Sequence, residues 1–419
     1  MKIGLMHYTA PPIVGGVEQV MASQANIFSL YGHEVVILTG RGQAWDESIR
    51  VTTFDSLDSR DAEILKIKVD LDDGVLTPSF DAATERIYRW LRKNTRKLDV
   101  LIAHNVATMH KNLPLTAALL RLVEERANGL RIILWHHDFA WTARQYKEEL
   151  YAAYPWNLTG KAWDGVIHVA ISDSRKAEMV ELTGIDPARV QVIPNGIDQF
   201  QVLGLSKETV RLAHRFKLQL TEPLFLTPVR ITRRKNLELA LRIVAQLRID
   251  FPKAFLVITG PTGAHNPANQ AYLQELTDLK KDLGLEEHVL MLAEHYPDGL
   301  PSTQIADLYR LADALLLTSS EEGFGLPVLE AGLGKQALFC SDIPALRALS
   351  NGAATLFSIN EPEGQIARRI VERLQSDTAY QLRARVKREY SWDSIYLNHI
   401  EPLLTLAINH AERKQDENG

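Results

Sequence analysis

The stretch from Ala314 to Ala331 constrains the fold more than any other part of the chain. Four apolar residues, Ala314–Leu317, precede a polar loop that contains glycines, and a helical segment with Pro327 near its start follows. A short apolar run of this kind is typical of a buried parallel strand, and proline is well tolerated at the start of a helix. A strand, a loop and a helix N-terminus in this order predict an anion site, because free N–H groups and the positive end of the helix dipole face one point.

Two carboxylates bracket this predicted anion site. Glu322 lies in the loop and Glu330 lies in the helix, with seven residues between them. A carboxylate beside a phosphate site would repel a simple phosphate, but it can accept hydrogen bonds from neighbouring hydroxyl groups. The combination therefore predicts a ligand that carries both phosphates and hydroxyls, which describes a sugar nucleotide.

The segment Glu322–Ala331, with the sequence EGFGLPVLEA, resembles the E-x7-E signature of retaining glycosyltransferases with the GT-B fold. This resemblance implies an α/β chain with two Rossmann-like, doubly wound parallel-sheet domains that face each other across a cleft. It also implies a C-terminal helix that crosses back to the first domain. The implied activity is hexose transfer from a nucleoside-diphosphate sugar, with no other cofactor. The donor contacts implied in this segment are Glu322, Gly323, Phe324, Gly325, Leu326 and Glu330.

Apolar runs elsewhere predict further parallel strands, which are separated by helical segments. The predicted strands of the first half are residues 2–6, 34–38, 99–103, 131–135 and 165–170, and those of the second half are residues 224–227, 255–260, 289–292 and 337–340. Three strands of the first half end at polar clusters, which begin at His104, His136 and Ser172. Because ligands collect at the carboxyl ends of parallel strands, we expect these clusters to border one ligand site.

The cluster His136, His137 and Asp138 is the most suggestive of the three. A histidine at the end of a strand is often only a structural residue with a satisfied hydrogen bond. Three polar groups directly after a fully apolar strand favour a functional role. The resemblance implies a histidine at this place that hydrogen-bonds the donor hexose. We favour His136 over His137 because His136 immediately follows the predicted strand.

Gly15 and Gly16 come just before a helix predicted over residues 17–31. Adjacent glycines permit a ligand to approach the backbone at a helix N-terminus, and a plain strand-to-helix turn explains them equally well. The resembled family carries a Gly-Gly-x-Glu pattern here, near the donor phosphates and the acceptor. The resemblance therefore implies binding roles for Gly15 and Gly16 and draws attention to Glu18.

Arg230 and Lys235 lie between the strand 224–227 and the next helix. Two cations at this place would neutralise a diphosphate that Glu322 and Glu330 would otherwise repel. The pair matches the Arg-x4-Lys pattern of the resembled family, which implies that both residues bind the donor phosphates. We interpret Arg233 and Arg234, which lie between them, as ordinary surface residues.

Residues 194–198 resemble the segment that joins the two domains of this family. We therefore expect a first, acceptor-side domain over residues 1–200, completed by a C-terminal helix over residues 385–412, and a donor-binding domain over residues 201–384. The formal net charge of −5 predicts no nucleic-acid partner. No apolar run reaches the roughly 18 residues of a membrane span, so we expect at most peripheral membrane contact. The N-terminus is typical of a first strand and not of a signal peptide, which predicts a cytoplasmic location.

Two other segments have competing interpretations. Residues 86–97 mix basic and apolar positions, as helices that touch anionic lipid do, but we interpret this segment as an ordinary surface helix. Residues 70–72 contain D-x-D, the metal-nucleotide signature of the other main glycosyltransferase fold. Because no other part of that fold is visible, we interpret residues 70–73 as a solvated turn and predict no metal site.

The sequence predicts metal-independent transfer of a hexose, with retention and by front-face attack. The donor would be of the UDP-glucose or GDP-mannose type, and the acceptor would be a sugar, a small molecule or a lipid-linked hydroxyl. The predicted catalytic residues are Glu322, His136, Arg230 and Lys235.

Three alternatives remain at this point. A nucleotide-sugar epimerase of similar fold would release free products without an acceptor and would need further acid/base carboxylates. A non-catalytic sugar-nucleotide-binding protein would be expected to have lost some of the two cations and two carboxylates, which are all present. A nicotinamide dehydrogenase would need G-x-G-x-x-G after an early strand, and the sequence has none.

Overall fold

The computed structural model describes residues 1–125, 129–262 and 268–407. In these ranges the chain forms two compact units. The first unit consists of Met1–Ile197 and the described residues after Ser391, and the second unit is Asp198–Ser391.

A parallel sheet forms the centre of the first unit. Its strands in the described residues are β1 (Lys2–Thr9), β2 (Glu34–Arg41), β3 (Ile49–Thr53), β4 (Val100–His104), β5 (Arg131–His136), β6 (Ile167–Ala170) and β7 (Val190–Val192). The spatial order is β3-β2-β1-β4-β5-β6-β7. The order reverses between β1 and β4, and a doubly wound sheet binds its ligands at the carboxyl ends beside such a switch point.

Helices cover both faces of this sheet. They are α1 (Gly16–Leu30), α2 (Ala62–Asp72), α3 (Pro78–Thr95), α4 (Leu113–Glu124) and α5 (Asp173–Thr183). Alternate residues of β2 belong to different cores, as the strand period of two requires. Val36 and Leu38 pack with residues of α3 and α4, whereas Val35 and Ile37 pack with residues of α1.

The second unit also has a parallel sheet at its centre. Its strands in the described residues are β8 (Leu224–Thr227), β9 (Phe255–Ile258), β10 (Val289–Met291), β11 (Ala314–Leu317), β12 (Ala337–Ser341) and β13 (Thr355–Phe357), in the order β10-β9-β8-β11-β12-β13. Its helices are α6 (Gln199–Leu203), α7 (Lys207–Arg215), α8 (Leu237–Leu247), α9 (Ala268–Asp282), α10 (Ser302–Leu311), α11 (Leu326–Leu333), α12 (Pro344–Ser350), α13 (Glu363–Ser376) and α14 (Thr378–Arg385). The order reverses between β8 and β11, so the loops after these two strands lie at the switch point of this unit.

The C-terminal segment returns to the first unit. It comprises α15 (Trp392–Ile395), a π-helical turn over Tyr396–Ile400 and helical residues 401–407. Tyr396 stacks on Tyr31 of α1 with 4.1 Å between the ring centroids, and the segment joins the core that contains Ile3 and Phe28. This packing confirms the predicted return of the C-terminal helix, of which residues 408–412 lie outside the described residues.

Two Rossmann-like parallel sheets confirm the predicted fold class. The strands that the sequence did not predict are β3, β7 and β13, and each lies at an edge of its sheet. The interpretation of residues 70–73 as a turn was wrong, because Asp70 and Asp72 lie in the last turn of α2 and Asp73 caps it. In the described ranges no helix combines the length and the apolar character that a membrane span requires.

Candidate functional site

The loop between β11 and α11 forms the core of the candidate site. Gly325 precedes α11 with a φ of 101°, a left-handed conformation that favours glycine. A Cβ on Gly325 would also lie 2.8 Å from Leu346 Cδ2. No side chain of the described residues caps the start of α11, and Pro327 lies in its first turn. Pro327 has no N–H and Val328 N donates to Gly325 O at 3.0 Å, so among the first three residues of this helix the Leu326 N–H is left for water or a ligand.

Glu322 is the centre of a charged cluster in this loop. Its carboxylate accepts hydrogen bonds from Lys235 Nζ and, at 2.7 Å, from Ser319 Oγ. Arg234 NH1 lies 3.4 Å from the other carboxylate oxygen. The side chains of Glu322 and Lys235 are each only 10% exposed, so they form a largely desolvated ion pair. Such a pair holds both groups in place.

Backbone hydrogen bonds join the two loops that carry this pair. The loops follow β8 and β11, which are neighbours in the sheet. Ser320 N donates to Arg234 O at 2.9 Å, and Thr318 Oγ1 donates to Lys235 O at 3.0 Å. These contacts fix the cationic loop against the glycine-containing loop before any ligand binds.

Glu330 and Arg230 are the more exposed members of the predicted set. Glu330 accepts a hydrogen bond from the hydroxyl of Tyr309, whose pKa is raised by burial and by this carboxylate. Arg230 follows β8, is exposed and has no ion pair within the described part of the chain. Arg230 is therefore a cation that is free to meet an anionic ligand.

The same loop exposes apolar side chains. Phe324 is 56% exposed and Leu326 is 59% exposed. A Cβ on Gly323 would meet no atom within 4 Å, so the fold itself imposes no need for glycine there. Large exposed apolar residues beside charged groups are typical of a ligand contact.

In the first unit, Gly15 and Gly16 differ in their surroundings. A Cβ on Gly15 would lie 2.1 Å from Glu18 Oε2, because Glu18 folds back over the start of α1. The Glu18 carboxylate accepts a hydrogen bond from Thr9 Oγ1 at the end of β1. A Cβ on Gly16 would meet nothing within 4 Å. The atoms near Gly15 are thus the end of the Glu18 side chain, and the structure gives no packing reason for Gly16.

The premise for choosing His136 was wrong. His136 is the last residue of β5 and is 1% exposed, and the residue that follows the strand is His137. His136 Nε2 lies 3.0 Å from His168 Nδ1, and His168 Nε2 donates to Trp163 O at 2.9 Å. This order makes His136 Nε2 a donor and leaves its Nδ1 as a buried acceptor without a partner in the described residues. Burial and the nearby His168 hold the pKa of His136 well below its usual value.

His137 belongs to a second histidine group, with His104 and with His7, and sequence reasoning missed His7. His137 Nε2 lies 3.2 Å from His104 Nδ1, and His7 Nδ1 donates to His104 O at 2.9 Å. Burial, with a smaller contribution from His7, lowers the pKa of His137 to about 4. These histidines are therefore neutral near neutral pH.

The sequence analysis also missed the role of Arg234. The sequence of a basic loop does not indicate which carboxylate its side chains will contact in the folded chain. The contact with Glu322 arises only when β8 and β11 become neighbours. Of the predicted residues, the structure brings Lys235 and Glu322 into contact and places Gly323, Gly325 and Leu326 on the same loop.

Comparison with known proteins gives two family matches. A family model described as "Glycosyl transferases group 1" matches residues 210–389, and one described as "Glycosyltransferase Family 4" matches residues 14–199. Mannosylglucosylglycerate synthase of Petrotoga mobilis is 26% identical over 385 residues, which cover 83% of this chain and 84% of that protein. The protein of the same name from Thermotoga maritima is 23% identical over 357 residues, which cover 80% of this chain and 79% of that protein. D-inositol 3-phosphate glycosyltransferase of Kineococcus radiotolerans is 30% identical over 194 residues, which cover 44% of this chain and 42% of that protein.

Proposed function

Because the chain belongs to the glycosyltransferases of group 1 and family 4, we propose that it transfers a hexose from a nucleoside-diphosphate sugar to an acceptor hydroxyl. The observation that carries this proposal is the desolvated pair of Lys235 and Glu322 at the carboxyl ends of β8 and β11. A fixed cation, a fixed carboxylate and an uncapped helix start suit a ligand that combines a diphosphate with hydroxyl groups.

In the proposed complex the donor lies along the loop before α11. Glu330 accepts hydrogen bonds from the ribose hydroxyls, and Glu322 with the backbone of residues 323–325 holds the hexose. Arg230 and Lys235 bind the diphosphate. The exposure of Phe324 supports this arrangement, since an apolar ring in this position offers a surface for the donor.

The proposed reaction is a front-face displacement without a metal ion. The acceptor oxygen forms a bond to the anomeric carbon while the bond from that carbon to the diphosphate oxygen breaks. The acceptor's proton passes to a donor phosphate oxygen on the same face, so the configuration is retained. Arg230, Lys235 and the start of α11 stabilise the charge that builds on the departing diphosphate, a contribution of roughly 3 kcal/mol to the barrier.

Glu322 is proposed to position the hexose and not to attack it. Its carboxylate is already bound by Lys235, Arg234 and Ser319, and a carboxylate held in this way is a poor nucleophile. This contact set supports front-face attack over a covalent intermediate that is formed on Glu322.

Acceptor binding by the first unit stays a prediction, and so do the donor contacts of a histidine and of Gly16. Whether His136 or His137 contacts the hexose stays a prediction, as do the roles of Gly15 and the cytoplasmic location. Two of the relatives are named for a product that contains mannosyl and glucosyl groups, which supports a donor of the GDP-mannose or UDP-glucose type.

The first experiment is donor turnover with a panel of nucleoside-diphosphate sugars with and without EDTA, measured as release of the nucleoside diphosphate. The variant Glu330→Ala should lose this turnover because it lacks the carboxylate for the ribose. The matched control is Glu321→Ala, which removes a neighbouring exposed carboxylate of the same chain segment. Turnover of one donor that Glu330→Ala abolishes and Glu321→Ala keeps would support the proposal.

Absence of both turnover and thermal stabilisation with every donor would overturn the donor site. Conversion of a donor to an epimer, with free products and no transfer, would favour the epimerase alternative. Loss of turnover when EDTA is added would contradict the metal-independent mechanism.

A further inference from the structure

A large basic pocket lies in the first unit, away from the carboxyl ends of its strands. The pocket has a volume of about 910 Å³, and one wall is the second half of α3. Its floor is formed by β2 and β3, where Val36 pairs with Arg50 and Leu38 pairs with Thr52, so these four side chains share one face of the sheet. Lys2, which begins β1, lies at its rim. The pocket therefore opens near the amino ends of the strands, opposite the edge that carries the histidines.

The charge of this pocket differs sharply from the charge of the whole chain. The chain carries a formal net charge of −5, yet among the described lining residues eight are basic and only Glu85 is acidic. Glu85 is already shared, since it accepts hydrogen bonds from Arg89 Nε at 2.6 Å and from Arg121 NH1 at 2.5 Å. The lining cations with no carboxylate within 4 Å in the described residues are Arg50, Arg92, Lys93, Arg96 and Lys97.

The helix dipole explains only part of this cluster. Arg92 and Lys93 lie in the last turn of α3, where cations are favoured by the negative end of the dipole. Arg50 comes from β3 and Lys97 lies beyond the last turn of the helix, so neither side chain is part of the turn that the dipole stabilises. Cations that converge from separate elements on one concave surface repel one another unless an anion binds between them.

We propose that this pocket binds a ligand with two or more phosphate groups. The guanidinium groups of Arg50 and Arg92 can each donate two parallel hydrogen bonds to one phosphate, and Lys93 and Lys97 add point charges. The volume falls within the range of small-ligand pockets. The ligand is either a soluble phosphorylated metabolite or the headgroup of an anionic lipid, which share this chemistry. The proposal is independent of the donor site, which lies in the second unit.

The test measures binding of inorganic tripolyphosphate to the full chain by calorimetry. The variant Arg92→Gln, Lys93→Gln, Lys97→Gln removes three pocket cations. The matched control is Arg60→Gln, Lys66→Gln, Lys161→Gln, which removes one arginine and two lysines from exposed positions of the same unit outside the pocket. We expect the pocket variant to bind at least about tenfold more weakly and the control to bind like the wild type, with affinity falling steeply from about 50 mM to about 200 mM NaCl.

A third variant, Arg230→Gln, separates this pocket from the donor site, because it removes a cation of the proposed donor site and leaves the pocket unchanged. It should keep the binding event that the pocket variant loses. Equal weakening of the pocket variant and its control, or loss of the event in Arg230→Gln alone, would overturn the proposal.

A second arm measures co-sedimentation with phosphatidylcholine vesicles that contain cardiolipin, whose headgroup carries two phosphates, against vesicles of phosphatidylcholine alone. Binding to the anionic vesicles that the pocket variant alone loses, without binding of tripolyphosphate, would identify a lipid headgroup as the source. Binding of tripolyphosphate without vesicle binding would identify a soluble ligand. Absence of both would refute the pocket as a phosphate site.

Discussion

The carboxyl ends of the two parallel sheets use opposite electrostatics. In the second unit, the charged side chains of Lys235, Arg234 and Glu322 contact each other on two loops that are joined by hydrogen bonds. In the first unit, His104, His136 and His137 at the corresponding edge are buried and neutral. Because both units share one fold, the difference lies in the side chains at the strand ends. The second unit is prepared for a charged ligand, whereas these three histidines of the first unit are neutral.

The largest effect should come from the charged edge. Lys235→Met removes the buried cation and leaves Glu322 with Ser319 and the more distant Arg234, so we expect kcat/KM with the donor to fall by at least about 100-fold. The matched control Arg233→Met alters a neighbouring cation that instead binds Glu275 at 2.5 Å, and it should keep nearly full activity. Steady-state kinetics with the donor that the panel identifies would measure both variants. Equal losses would show that total loop charge matters and the specific pair does not.

The buried histidines of the first unit should make the free energy of unfolding depend on pH. The folded pKa of His137, about 4, lies below its ordinary value of 6.5, so the unfolded chain binds more protons between these values. The free energy of unfolding should therefore decrease as the pH is lowered through this window. The expected decrease for His137 alone is about 2 kcal/mol from about pH 7 to about pH 5. Urea unfolding should show a smaller fall in His137→Gln than in the wild type.

His399→Gln, which changes an exposed histidine of the same unit, serves as the control for this titration and should follow the wild type. A wild-type stability that does not change across this window would contradict the buried neutral state.

Substitutions of Gly325 and Gly323, in the loop before α11, should affect stability and donor binding separately. Gly325→Ala forces a side chain into a left-handed conformation beside Leu346, so we expect a loss of about 2 kcal/mol in the free energy of unfolding. Gly323→Ala meets no neighbour, so stability should be unchanged while KM for the donor rises if the hexose lies against this residue. Thermal unfolding and kinetics on both variants measure this, and an equal KM for Gly323→Ala and the wild type would remove Gly323 from the site.

The smallest effect concerns the orientation of Glu330. Tyr309→Phe removes the hydroxyl that donates to this carboxylate, which should raise KM for the donor about threefold with little change in kcat. Tyr380→Phe is the control, because the Tyr380 hydroxyl has no hydrogen-bond partner in the described residues. A KM that is the same for Tyr309→Phe and its control would show that Tyr309 does not position Glu330.

The sequence predicted the central strands well but only one of the four edge strands that the structure describes, β10. Residues of β11 are buried on both faces and are all apolar, so their run is visible. β3, with the sequence IRVTT, has one neighbour and exposed positions, which weakens the apolar pattern. Edge strands lack the two-sided burial that produces the signal.

The same distinction holds for the site. Glu322 and Glu330 were predicted because one loop and one helix carry them, at a spacing that is local in the chain. The contact between His104 and His137 and that between Arg234 and Glu322 depend on which strands become neighbours. That information arises only from the assembled sheets. The prediction that His136 follows the strand was wrong because β5 extends one residue beyond its apolar run.

The return of the C-terminal segment has a consequence for synthesis on the ribosome. Trp392, Tyr396 and other residues of this segment complete a core that otherwise consists of residues from the first half of the chain, including Ile3 and Phe28. The first unit is the first to emerge but the last to be finished, because almost the whole second unit must be translated before its covering helix appears. During that interval an apolar face of the nascent first unit is exposed to solvent. A chaperone that acts during translation would be expected to bind this face.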